Sequence, residues 1–300
     1  MPVWDQNLLY VASDLKRYVQ KICRWLTDWI ETGSTPFIHA RLYQTRYPRC
    51  IQDAYTTLAC YLHRTALNEQ TVFHIIENRI KDLVPEDTFS SDSLPDNNAA
   101  NSTTLDSLEH IARVHALLIY QIIGLYDGDI RLRHLSETCI PVLNSWLQAM
   151  IQHTRQSTSA DSSVISSAYE KAALGGNPST IAEDENLWYS WILAETARRT
   201  WIVASGIHVV FTTIRQGGSI PACNGGMVFT TRRGAWEAKS AFAWEKLCAE
   251  EYTGLIQMAE AGRLFTEVAP DEVNEFAKMV LELTFGREKM ERWGAQRDDW

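Results

Sequence analysis

The chain has 300 residues, 45% of them hydrophobic and 22% charged, and a formal net charge of −9. This is an ordinary globular balance with enough apolar side chain for a sizeable core, and eleven tryptophans are a marked excess. The acidic surplus excludes a generally cationic nucleic-acid footprint, and no run of Lys or Arg supplies a local one.

Leu8, Val11, Leu15, Tyr18, Ile22, Trp25 and Trp29 recur at three-four spacing and predict an amphipathic helix over 8–31, closed by Gly33 and Pro36. Pro36 and Pro48 mark the next segment as irregular. Helices are expected over 50–65 and 69–83, the second with Val72, Phe73, Ile76 and Ile80 inward. Residues 85–104 are rich in Ser, Asn, Asp and Pro and read as a flexible loop. A helix over 105–126 carries a stripe from Leu108 to Ile123, and Asp127-Gly128-Asp129 turns the chain into a helix over 130–153, kinked at Pro141. The two are expected to form a hairpin. Residues 156–186 read as a second flexible loop, with a short helix at Ala168–Leu174 left open.

Leu187–Ile214 is the stretch around which the chain is organised. It has no Pro and a single Gly, Gly206. Trp188, Trp191, Ile192, Ile202, Val209 and Val210 fall on one helical face. The opposite face holds Leu193, Ala197, Trp201, Ala204 and Phe211. A helix apolar all round is buried on all sides, so this one is expected at the centre of an all-α fold. Three charges interrupt it: Glu195, Arg198 and Arg199. Glu195 and Arg199 are four apart in the favourable acid-before-base order, and burial of either alone would cost about 3–5 kcal/mol. The readings are a buried ion pair that fixes helix register, a polar spot in a ligand pocket, or a catalytic carboxylate.

The Gly-rich stretch 217–226 lacks the spacing of a phosphate-binding loop. A helix is expected over 234–251 with Trp236, Phe242, Trp244 and Leu247, and a last strong one from the N-cap Asp271 to Phe285. No strand pattern is persuasive, although Met227–Thr230 is able to pair briefly. The architecture expected is one large helical domain over 1–300, built from antiparallel helix pairs around the central helix.

No nucleophile elbow, metalloprotease motif or dinucleotide fingerprint is present. The six cysteines are scattered, without a C-x-x-C pair, so no zinc site is expected; Cys23, Cys60 and Cys248 read as buried free thiols. His110 and His115, five apart, diverge on a helix and make no metal pair; His115 reads as a satisfied core histidine. His208, on the apolar far face, reads as core or as pocket lining. Asp127 and Asp129 read as a turn rather than an acid–base pair, and Arg232-Arg233 as a solvated basic pair. No secretory signal opens the chain, and the charges of the central helix argue against a membrane span.

Five stretches, taken in order, carry a resemblance: TPFIHARLY with CIQDAY, LIYQIIGLYDGDIRLR, WYSWILAETARRTW, FTTRRGAWEAKSAFAWE and VNEFAKMVLELTFGREKMERW. Together they resemble the regulatory, middle-homology region of fungal zinc-cluster transcription factors, over about residues 35–293. The pattern of Trp191, Glu195, Arg198 and Arg199 is the most specific part. The resemblance implies an α-helical fold, a fungal source and a module that receives small molecules or partner proteins to regulate transcription, often of secondary-metabolite gene clusters. The family's DNA reader is a six-cysteine zinc cluster upstream of this region, and the cysteines here do not build one.

The expectation is therefore a regulatory module in the nucleus or cytoplasm, with a small-molecule ligand or a protein partner. It has no cofactor, no metal, no membrane association and no direct sequence-specific DNA binding by this chain. Its candidate binding residues are Trp188, Trp191, Glu195, Arg199 and His208. The alternative is an enzyme of fungal secondary metabolism, cyclising or isomerising a polyketide or terpenoid between Trp-rich helices, with Glu195 or His208 as acid or base. A scaffold acting through protein contacts is a third reading.

Overall fold

A computed structural model describes residues 12–84, 105–157, 181–216, 227–250 and 254–295. Among these the protein is all-α, with eleven α-helices, two 3-10 helices and one two-stranded sheet. Contacts divide the chain into two compact units. Unit 1 comprises residues 1–25, 34–42 and 158–300, and unit 2 comprises 26–33 and 43–157. The first helix, α1 (Ala12–Thr32), gives its early turns to unit 1 and its last turns to unit 2.

Unit 2 is built from α2 (Arg49–Leu62), α3 (Glu69–Leu83), α4 (Ser107–Tyr126), α5 (Ile130–Thr138) and α6 (Ile140–Ser157). Its centre is α4, which is buried at almost every position from Ile111 to Leu125 rather than along one stripe. Asp106 and Glu109 close a capping box at its start. The helix expected over 130–153 is two helices, α5 and α6, and both pack on α4. Pro141 is the physical cause: it has no N–H for the carbonyl one turn back and disfavours helical geometry in its predecessor. Gly124 lets α5 approach α4, since a Cβ there would lie 2.0 Å from Ser136 Oγ and 2.8 Å from the Leu132 carbonyl. Asp127-Gly128-Asp129 is a turn, as its composition predicts. Asp129 caps α5 by accepting from Leu132 N–H at 2.9 Å, and Asp127 accepts from Tyr61 Oη and Arg64 Nη2 at 2.6 and 2.7 Å. His115 is a satisfied core histidine, its Nδ1 2.8 Å from Tyr43 Oη.

Unit 1 is built around α7 (Ile181–Gln216), with strand β1 (Val228–Thr230), α8 (Ala241–Glu250), strand β2 (Leu255–Gln257), α9 (Leu264–Glu267), α10 (Glu275–Phe285) and α11 (Arg287–Ala295). The central helix of the sequence is thus central to unit 1, while α4 has that place in unit 2. It begins within the stretch expected to be a loop, since residues 181–186 are already helical. β1 and β2 pair antiparallel, with Phe229 opposite Ile256. The lone glycine of α7, Gly206, faces Tyr18 of α1: a Cβ there would lie 2.2 Å from the tyrosine hydroxyl.

Two helix boundaries differ from expectation. The segment 234–240 is not helical; α8 starts at Ala241, where Ser240 Oγ accepts from Ala243 N–H at 3.2 Å. α10 starts at Glu275, capped by Asn274 rather than Asp271. Residues 270–272 form a 3-10 turn, and the Asn274 N–H is donated to Thr231 O at 2.8 Å, so extended pairing holds the backbone until the cap. Cys23 and Cys60 are exposed rather than buried, whereas Cys139 and Cys248 are buried. The first expected loop at 85–104, the short helix at 168–174 and the Gly-rich stretch 217–226 lie outside the described residues. Among the described residues, no helix is long and apolar enough to cross a membrane.

Candidate functional site

Four of the sequence blocks meet in unit 1 around one buried carboxylate. Glu195 has no exposed surface, and both of its oxygens are engaged. Oε1 accepts from Arg199 Nε at 2.7 Å and from the Thr230 N–H of β1 at 3.0 Å. Oε2 accepts from Arg198 Nε and Nη2 at 3.1 and 3.0 Å. Burial pushes the carboxyl up, but Arg199 and Arg198 outweigh it and hold the group below its ordinary value. Glu195 is therefore an ionised counter-ion with filled acceptor sites. That is the arrangement of a register-fixing ion pair, and it leaves the carboxylate no proton to trade.

Arg199 spreads this node outward. Nη1 donates to Pro36 O at 2.8 Å and Nη2 to Thr230 O at 3.2 Å. The guanidinium stacks 4.0 Å from the centroid of Trp236 and 4.8 Å from that of Phe276. Two arginines share the Glu195 carboxylate, and carbonyls, π faces and the charge of Glu237 also act on Arg199. Asn274 Nδ2 donates to the same Thr230 carbonyl at 2.8 Å while its Oδ1 caps α10. The loop 34–42, β1, the turn at Trp236 and the start of α10 are thereby fixed to one turn of α7.

An aromatic cluster adjoins the node. Trp191 lies 6.4 Å from Trp236 and 5.5 Å from Trp244 between ring centroids. His39 stands edge-on to Trp188 and Trp236 at 6.0 and 5.0 Å. Its Nδ1 accepts from the Arg41 N–H at 3.1 Å, which places the proton on Nε2. Burial first, then Arg199, lowers the His39 pKa to about 4, so the ring is neutral at neutral pH. The Trp236 indole donates to Thr35 O at 3.2 Å, which is why this residue sits in a turn and not in a helix. At the rim, the Arg41 guanidinium lies 5.1 Å over Trp188 and pairs with Glu185 at 2.8 Å.

Of the five residues predicted from sequence, the structure brings Trp188, Trp191, Glu195 and Arg199 onto one stretch of α7, buried in unit 1. His208 is separate: it lies thirteen residues beyond Glu195, about 20 Å along by helical rise, and is half-buried, with burial lowering its pKa to about 4. Sequence reasoning missed His39, Arg41, Trp236 and Trp244 as members of the cluster. The loop carrying the first two has no periodicity, and only its place in the TPFIHARLY block marks it.

Comparison with known proteins gives one informative match. The chain is similar to a protein named transcription factor gsfR2 from Penicillium aethiopicum, with 29% identity over 265 residues. The match covers 88% of this chain and 57% of that protein, so the chain spans little more than half the length of the relative. No protein-family profile and no solved structure matches the chain. The protein is transcription-factor-like in sequence and all-α in fold.

Proposed function

We propose that this chain is a regulatory region of fungal transcription control, acting on secondary-metabolite genes in response to a small molecule or partner protein bound by unit 1. The observation that carries the reading is the 265-residue similarity to a protein named as a transcription factor. The geometry of unit 1 supports it: four of the stretches that carry the resemblance converge on the Glu195 node. The net charge of −9 and the scattered cysteines support a division of labour in which DNA is recognised by other residues than these.

The test is a fusion of the chain to a heterologous DNA-binding domain, with a reporter gene in a filamentous fungus. A reporter level changed severalfold relative to the DNA-binding domain alone is the expected result. A soluble, folded fusion that leaves the reporter unchanged under all growth conditions tried would refute the reading.

A further inference from the structure

Buried polar hydrogens in a native protein almost always find acceptors. Three of the exceptions in unit 1 are indoles: among the described residues, the N–H groups of Trp188, Trp191 and Trp244 have no hydrogen-bond partner, and each residue is 1% exposed. All three belong to the aromatic cluster beside the Glu195 node. At the rim the flat guanidinium of Arg41 covers the Trp188 ring, 5.1 Å from its centroid. The Arg41 and Glu185 side chains that hold this cover are 39% and 40% exposed, and ion pairs with that much solvent are weakly held.

We propose that the cluster binds a planar, oxygen-bearing aromatic molecule, which displaces the Arg41 guanidinium from Trp188 and presents oxygen acceptors to the orphaned indole N–H groups. The aromatic walls select a flat ring, and the three donors select acceptor oxygens. Arg41 is the displaceable cover. The inference rests on the regulatory reading for its biological use, since it names the class of molecule unit 1 would sense.

The experiment uses the full chain labelled with 15N at the tryptophan indoles, titrated with flavone, with chromone and with naphthalene. Chromone and naphthalene share a bicyclic shape, and only chromone carries oxygen acceptors. Flavone and chromone are expected to bind with Kd below about 1 mM and at least about tenfold more tightly than naphthalene. They should shift the Trp188, Trp191 and Trp244 indole signals, while that of Trp293, whose N–H already donates to Val268 O at 3.2 Å, stays in place. Trp191→Phe keeps a ring and removes a donor. It should weaken flavone binding about fivefold, compared at a temperature where both proteins are folded, since the lost ring volume lowers the unfolding temperature. Arg41→Ala should speed flavone association.

Binding of naphthalene as tight as that of chromone, indole signals unmoved by saturating flavone, or no binding by either oxygenated probe would overturn the proposal. If the probes bind and the reporter fusion stays silent, the site stands and the regulatory reading falls. If the reporter responds and no probe binds, this inference alone falls.

Discussion

Glu195 ties Arg198, Arg199 and the backbone of β1 to one turn of α7. Glu195→Gln keeps its shape and removes its charge, taking away the buried carboxylate that Arg198 and Arg199 share. The expected cost is about 3–5 kcal/mol of stability, read from urea unfolding at neutral pH. A cost below about 1 kcal/mol would contradict the node as described. The pH dependence has a fixed sign. Since the folded carboxyl is held below its ordinary value, its contribution is fully present above the unfolded carboxylate range and is lost as pH falls through the folded value. Two of the buried histidines, His39 and His115, act at higher pH. Burial lowers His39 to about 4 and His115 to about 3, so both are neutral when folded. Their stabilisation is complete above about pH 6.5 and declines as pH falls, by about 1.4 kcal/mol per pH unit for each. Urea unfolding at pH 7.5 and at pH 5 checks this. Equal stability at the two values would contradict it, as would the absence of proton uptake on unfolding in calorimetry.

At the scale of elements, the sequence was most legible where local pattern and tertiary packing agree. α3 occupies Glu69–Leu83 as the periodicity predicts, because Val72, Phe73, Ile76 and Ile80 need only one inward stripe. Reading failed where distant partners override local preference. Residues 234–240 are good helix material in part, but Trp236 is held in a turn by Thr35 O and the Arg199 guanidinium, and both partners are remote in sequence. The sequence of α4 shows one stripe, yet the helix is buried at almost every position, since its polar residues Gln121 and His115 bond within the core: Gln121 Nε2 donates to Ser136 O at 3.2 Å. Its close contact with α5 gives a prediction. Gly124→Ala raises helix propensity by up to about 1 kcal/mol, yet the new methyl meets Ser136 Oγ and the Leu132 carbonyl. A net loss of about 1–3 kcal/mol is expected. A raised unfolding temperature for this variant would show that α4 and α5 approach less closely than described.

At the scale of the whole molecule, charge spacing on α7 made the Glu195–Arg199 pair legible, because an acid and a base four apart on an apolar helix have few other fates. The partners of that pair were not legible. Pro36, Thr230, Trp236 and Asn274 are each remote in sequence from Glu195 and Arg199, and nothing local links them to the pair. The blocks of the resemblance become intelligible once these partners are seen: TPFIHARLY, WYSWILAETARRTW, FTTRRGAWEA and VNEFAKM each supply one side of the same buried network. The central claim is that this network holds together a transcription-regulating unit, and one comparison tests it most directly. Reporter output is measured for the wild-type fusion, for Glu195→Gln, and for Asp129→Asn, which alters a helix cap in unit 2. The account predicts that the wild type regulates the reporter, that Asp129→Asn retains most of that effect, and that Glu195→Gln abolishes it in step with its loss of stability. A Glu195→Gln fusion that regulates the reporter as fully as the wild type would contradict it.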